Sequence, residues 1–256
     1  MLNMLEEIHM SEVPRSPRKR GAFLAILLFA FAFAAGCVSR SYIDGFFDRG
    51  GKPVGTPTPT PTGEGWINLL DAANAPLWKN LGDDKDIFEV RDGVLHIFGR
   101  TVYPLRYATF TGQTFGDFDL HVEFKVTRGA NSGLFLRTAP NAPENRGFEL
   151  QVIDDHGKNP TKNSCGAIYD VVTPMFNVTR PAGEWNSYDI SVRGKMVTVT
   201  MNGWKIIDAD FSKLTAPVGK FPIAYNDLPL EGYIAFQDHG GEVWYRNVMI
   251  KPVTAN

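Results

Sequence analysis

Four side chains between positions 118 and 154 carry the first chemistry in this sequence: Glu123, Arg137, Glu149 and Gln151. Each lies in a run that alternates apolar and polar residues. Phe118, Leu120, Val122, Phe124 and Val126 alternate with Asp119, His121, Glu123 and Lys125. Leu134 and Leu136 alternate with Phe135 and Arg137, and Phe148, Leu150 and Val152 alternate with Glu149 and Gln151. Successive side chains on a strand point to opposite faces, so this pattern predicts three half-buried strands. If the three share a sheet, one face is apolar and the other presents two carboxylates, a guanidinium and a carboxamide. The carboxylates can accept a proton and all four groups hydrogen-bond polar ligands, and function is expected on that face. The structural alternative for Arg137 is an ion pair with Glu123 or Glu149.

The elements that must position these residues read as more short strands. Candidates run over 88–90, 94–98, 108–111, 187–193, 196–201, 204–208, 233–237 and 243–250. Turn signals separate them: Asp92-Gly93, Gly116-Asp117, Gly194, Asn202-Gly203 and Gly240-Gly241. Asn202-Gly203 between two apolar runs is the strongest hairpin signal of the chain. Many short strands at this spacing predict an all-β jelly-roll sandwich of two antiparallel sheets. A short helical turn is expected over 210–214. Pro217, Pro222 and Pro229 make 215–230 a long irregular loop.

The totals fit one globular domain. Of 256 residues, 43% are hydrophobic and 21% charged, enough for a single sizeable core. A net charge of -2 carries no basic excess, so nucleic acid is not an expected partner. Aromatics make up 12%; they suit strands, and exposed ones suit flat sugar rings.

The start of the chain reads as a targeting segment. Arg15, Arg18, Lys19 and Arg20 precede an unbroken apolar run from Ala22 to Ala35, short for a membrane span. It ends in Ala34-Ala35-Gly36-Cys37, which resembles a bacterial lipobox with Cys37 as the lipidated residue. Two acyl chains on Cys37 give stable anchoring, where one is marginal. The expected localisation is the cell envelope, as a membrane-anchored lipoprotein facing the periplasm or exterior. Three regions follow: a signal peptide over 1–36, a Pro/Thr/Gly-rich tether over 37–63 and one domain over 64–256. The Thr-Pro repeat from Thr56 to Thr62 favours a semi-rigid polyproline II spacer. With Cys37 lipidated, Cys165 has no partner for a disulfide and reads as packing.

Five blocks occur in order: TFGDFDLHVEFKVTRGANSGLFLR, GFELQVID, CGAIYDV, GEWNSYDISVRGKMVTVTMNG and IAFQDHGGEVWYRNVMIKP. On these the sequence resembles the 3-keto-disaccharide hydrolase family from about Trp66 to Val253. The resemblance implies a concanavalin-like sandwich with a carbohydrate site on its concave face. It also implies cleavage of a sugar already oxidised at carbon 3. The hydrogen on carbon 2 is then acidic, and the glycosidic oxygen on carbon 1 lies beta to the ketone. One base, one acid and a group at the enolate oxygen suffice.

With that chemistry in view, Glu149 is the expected base, His239 the acid, and Arg137 the group that neutralises the enolate or holds hydroxyls. Gln151, Asp154, Gln237, Asn131 and Glu123 are the expected substrate-binding residues. For His239 and Asp154 the bland reading is a solvated turn, and for Asn131 a tight turn. Asn186 reads first as a strand cap. Trp185, Tyr169 and Trp244 are possible stacking platforms, with core packing as the alternative.

Two other readings stand beside this one. The spacing Glu149-x-Gln151-x-x-Asp154 resembles a degraded form of the strand that carries both carboxylates of laminarinase-type retaining glycosidases. A non-catalytic lectin-like module fits the same polar face. No cofactor is expected. Oxygen ligands for calcium exist at Asp154, Asp155 and Asn226-Asp227, but no spacing argues for a metal. No nicotinamide fingerprint is visible, so a separate oxidoreductase is expected to supply the ketone.

Overall fold

The computed structural model describes residues 55–219 and 222–253. The predicted signal peptide, Cys37 and tether positions 38–54 lie outside the described residues. Thirteen strands follow one another along the described chain, joined by turns and short 3-10 segments. They are β1 (Ile67–Asn68), β2 (Trp78–Asn80), β3 (Phe88–Arg91), β4 (Val94–Ile97), β5 (Arg106–Phe115), β6 (Asp117–Val126) and β7 (Asn131–Thr138). After these come β8 (Phe148–Ile153), β9 (Asn186–Arg193), β10 (Met196–Met201), β11 (Trp204–Asp210), β12 (Gly232–Asp238) and β13 (Val243–Val253).

They form two antiparallel sheets. The larger has the order β11-β10-β9-β6-β13-β4-β3, with β1 also pairing β13. The smaller is β2-β5-β12-β7-β8. The predicted all-β sandwich is therefore the fold. The alternating residues do what their period requires. Phe118, Leu120, Val122, Phe124 and Val126 from the larger sheet meet Leu134, Leu136, Phe148, Leu150 and Val152 from the smaller in one core. The Asn202-Gly203 hairpin forms with both residues at positive φ, 49° and 82°, the backbone that this turn demands. The turn expected near 210–214 is a 3-10 segment at Phe211–Lys213, capped by Asp210. A second, Tyr225–Asp227, breaks the long loop.

One expectation fails at the level of sheets. β6 does not share a sheet with β7 and β8: its neighbours are β9 and β13. The polar residues of β6 therefore face away from those of β8, on the opposite outer surface.

The Thr-Pro segment is also more than a spacer. Thr58 donates its backbone N–H to Ser187 Oγ at 2.8 Å and its hydroxyl to Asp189 Oδ2 at 2.5 Å. Thr60 Oγ1 donates to Glu123 Oε1 at 3.1 Å, and Thr56 N to Asn202 O at 3.0 Å. Alternate threonines thus strap 55–62 across β9 and β6.

Candidate active site

The outer face of the smaller sheet is built by four adjacent strands. Because their alternate residues fill the core, β5 turns Tyr107 and Thr109 outward, and β12 turns out Ala235 and Gln237. β7 contributes Asn131, Gly133 and Phe135, and β8 contributes Glu149 and Gln151. Register sets their order. Gln237 lies opposite Tyr107, and Ala235 opposite both Thr109 and Phe135. Glu149 lies opposite Phe135, and Gln151 opposite Gly133. Tyr107, Phe135 and Ala235 form a small apolar floor of their own, with Leu105 packed against it. Tyr107 stands edge-on to Phe135 at 5.1 Å.

Gly133 makes room for the carboxylate. A Cβ at that position would sit 2.5 Å from Glu149 Oε1, so the Glu149 side chain leans across the bare backbone toward the row holding Gln151 and Gln237. Glu149 and Gln151 are each only 2% exposed. Their strand is fixed on both sides. Tyr169 N donates to Glu149 O, and Gly166 N to Gln151 O. Through the core, Tyr188 Oη from β9 donates to Gln151 O at 2.8 Å. Ser132 Oγ donates to Gln237 O at 2.6 Å and meets Tyr245 Oη at 2.8 Å. The opposing sheet therefore holds the carbonyls that set the pitch of the site.

Loops cover this face. Thr109 Oγ1 donates to Pro140 O, and Thr138 Oγ1 to Pro143 O and Arg146 O, which lays 139–147 over the sheet. Asp238, fully buried, accepts the N–H groups of Arg100 and Thr101 and so anchors the loop that carries Leu105. Burial pushes the Asp238 carboxyl above its usual range, against those donors.

Between these loops and the sheet, four buried polar atoms make no well-aligned hydrogen bond, although the Tyr107 phenol lies within reach of Gln237 and Glu144: Tyr107 Oη, Asn131 Oδ1, Gln237 Oε1 and Glu144 Oε2. Buried polar groups are nearly always satisfied, so orphans gathered on one face mark where a polar ligand supplies the missing bonds. Burial, then the charge of Glu144, drives the Tyr107 phenol pKa far up. His239 is half-buried at the end of β12. The Asn131 amide nitrogen lies 2.9 Å from its Nδ1.

Glu149, Gln151, Gln237, Asn131 and His239 are thus brought to one surface. Arg137 and Glu123 are not. At Arg137 the backbone enters the left-handed region, φ 51°, beside the register shift between β12 and β7. Such an irregularity re-aims a side chain. The guanidinium leaves the outer face and bonds Gly116 O, Gly194 O and the Asp117 carboxylate at 2.9, 2.5 and 2.8 Å. The expected ion pair exists, with Asp117 in place of Glu123 or Glu149. Glu123 lies on the larger sheet, held by Arg246 at 2.8 Å and Asn247 at 2.6 Å.

Asp154 also turns elsewhere. Its Oδ2 accepts Gly129 N, and it lines a recess of about 650 Å³ with Lys125, His156 and Trp244 at the end of the sandwich. β8 keeps its register without a shift from Phe148 to Ile153, so nothing turns residue 154 back toward Glu149. This gives the retaining two-carboxylate reading no support, since that chemistry needs the carboxyls about 5–5.5 Å apart.

Trp185 and Trp244 sandwich Lys125 on the larger sheet, at 5.1 and 4.5 Å, away from Glu149. Asn186 caps as read, accepting Arg180 N. Cys165 is buried, and burial raises its thiol pKa, the opposite of an activated nucleophile. Among the described residues no three His, Cys, Asp or Glu side chains gather as a metal site. Asp155 accepts Cys165 N and Thr179 Oγ1, and Asn226 accepts Lys195 Nζ.

Sequence reasoning missed Tyr107, Gly133 and Glu144. The alternation of 108–111, extended back one residue, puts Tyr107 outward. Glu144 sits in a loop with no period to read.

Known proteins resemble this chain over nearly the whole described domain. A curated 3-keto-disaccharide hydrolase of Bacteroides thetaiotaomicron is 25% identical over 230 residues, covering 73% of this chain and 78% of the relative. The crystal structure of a candidate glycosyl hydrolase from Parabacteroides distasonis superposes with a TM-score of 0.59 at 27% identity, over 69% of this chain and 99% of that one. A galectin-like protein of unknown function from Bacillus subtilis shares the fold, with a TM-score of 0.50 at 12% identity over 77% and 99% of the two chains. Residues 65–251 match the family described as the 3-keto-alpha-glucoside-1,2-lyase-like domain, and the chain belongs to that family.

Proposed function

We propose that the chain hydrolyses glycosidic bonds of sugars already oxidised to a ketone at carbon 3, on the outer face of the smaller sheet. The observation that carries this reading is the Glu149 carboxylate, buried over Gly133 among side chains whose polar atoms make no well-aligned hydrogen bond. The name of the Bacteroides relative and the family description support the substrate class.

In the proposed route the Glu149 carboxylate takes the proton from carbon 2. The C–H electrons form the C2=C3 bond, and the ketone becomes an enolate. The pair on the carbon-3 oxygen then returns to C3=O, the C2=C3 pair becomes the C1=C2 bond, and the C1–O pair leaves on the glycosidic oxygen. The leaving oxygen takes a proton from His239, the acid of this reading. Water then adds, oxygen to carbon 1 and proton to carbon 2, which restores the ketosugar. Gln151, Gln237 and Asn131 hold hydroxyls. The family description, a 1,2-lyase of 3-keto glucosides, fits elimination across those two carbons. The ketone would come from a separate oxidoreductase. The reading includes a lipid anchor at Cys37 in the cell envelope, supported by the apolar run and the small residues before that cysteine.

The test is incubation of the full chain with a 3-keto glucoside. Aglycone release is expected, and Glu149→Gln should lower it by about 10²–10⁴-fold, the usual share of a general base. Binding without turnover supports a lectin instead. Turnover of an unoxidised β-1,3-glucan supports the retaining glycosidase.

A further inference from the structure

The four orphaned atoms over the smaller sheet differ in kind. Gln237 Oε1, Asn131 Oδ1 and the Glu144 carboxylate oxygen Oε2 are acceptors of hydrogen bonds. Sugar hydroxyls satisfy such atoms, because each hydroxyl carries a proton to give. A ketone oxygen carries none. Placed against any of these three it leaves two acceptors facing each other in a buried site, which is costly. Of the four, Tyr107 Oη alone carries a hydrogen.

We propose that the Tyr107 phenol receives the carbon-3 oxygen of the substrate and holds it as the enolate forms. The inference rests on the reading of this face as the reaction site.

Position agrees with this role. Tyr107 on β5 and Gly133 on β7, over which the Glu149 carboxylate lies, are separated by β12 alone. Two strand spacings are about 10 Å between backbones, so the phenol and the carboxylate stand over the same short stretch of sheet. Gln237 lies opposite Tyr107 in register, between the two. The ring of Tyr107 is fixed by its edge-on contact with Phe135 and by Leu105, and the residue is 6% exposed. A donor held in place this way needs no reorganisation when charge develops. Burial and the nearby Glu144 keep the phenol protonated, so it serves as a donor and not as a second base.

Electrons balance without a further reactant. As Glu149 removes the carbon-2 proton, the carbonyl π pair moves onto the carbon-3 oxygen, where the Tyr107 O–H hydrogen bond shortens. The pair returns to the carbonyl when the carbon 1 leaving group departs, and the phenol keeps its proton throughout.

The step is isolated by a 3-keto sugar with no leaving group on carbon 1, such as 3-keto-1,5-anhydroglucitol. In D₂O the enzyme should exchange the carbon-2 hydrogen, read by NMR, with no bond cleaved. In the full chain, Tyr107→Phe keeps the ring and should slow exchange by about 10²–10³-fold, the loss seen on removing one oxyanion donor. Affinity for the unoxidised glucoside, with a hydroxyl at carbon 3, should stay within a few-fold of wild type. Exchange by Tyr107→Phe at the wild-type rate overturns the proposal, and so does an equal loss of affinity for both sugars, which marks a packing role. Glu149→Gln separates the two ideas. If it exchanges normally while Tyr107→Phe does not, the base is misassigned and the phenol stands. If wild type exchanges nothing, the site reading fails and takes this proposal with it.

Discussion

The two outer faces of the sandwich are both polar and half covered, yet they differ in how their polar atoms are used. On the larger sheet charge meets charge. Glu123 is held by Arg246, Asn247 and Thr60, His121 by Asp189, and Arg193 by both oxygens of Asp119. Lys125 and Arg246 lie over indole rings. His121 Nε2 is the one orphaned atom there among the described residues, with Glu123 at 3.8 Å. On the smaller sheet four atoms around one carboxylate make no well-aligned hydrogen bond. A face whose groups satisfy each other is built for stability. A face whose groups await a partner is built for a ligand.

That contrast is sharpest between Arg137 and Glu149, which the sequence pattern places together and the fold separates. Arg137→Met should be the most damaging change to stability. It removes three hydrogen bonds and leaves Asp117 without its cation, a loss of about 3 kcal/mol, the low end for a buried pair because Asp117 is partly exposed and keeps the Gly194 N–H. The part that still folds should keep its kcat. A chemical denaturation curve beside a turnover assay checks both, and a folded Arg137→Met with lost turnover would return Arg137 to the site.

Gly133→Ala should do the reverse. The added methyl meets Glu149 Oε1 at 2.5 Å and must push the carboxylate aside. Turnover should fall by about 10²-fold, as for a catalytic group misplaced by about 1 Å, with a Tm shift of a few degrees at most. Unchanged kcat would mean that the carboxylate works from another position.

The smallest effect is expected from Glu123, and it shows only in acid. Burial alone would raise its pKa, but the bonds from Asn247 and Arg246 and the Arg246 charge hold it below the ordinary carboxylate value. A carboxyl depressed in the folded state contributes stability above its unfolded pKa of about 4.3, and loses it as pH falls through the folded value. Wild-type Tm should therefore drop more steeply below about pH 4.3 than that of Glu123→Gln. Parallel curves would contradict the assignment of this group to stability.

Much of the fold was legible because alternation dictates it. Every predicted run from Phe88 to Ile250 became part of a strand, since each has one face that must be buried. β1 and β2, of two and three residues, are too short to show a period. Sheet membership was not legible. Alternation says which side of a strand is wet, and not which of two wet sides it joins. Glu123 was misplaced for that reason. Arg137 was misplaced for another: a single positive φ breaks the parity that 133 and 135 obey. Glu149, Gln151 and Gln237 were readable because their strands run regularly.

The Thr-Pro strap has one more consequence. It runs along β9 and β6, behind the sandwich, while Glu149 stands on the sheet in front. The described chain therefore begins on the face away from Glu149. Immobilisation through the amino terminus should therefore leave catalysis undisturbed and point the working surface toward the incoming sugar.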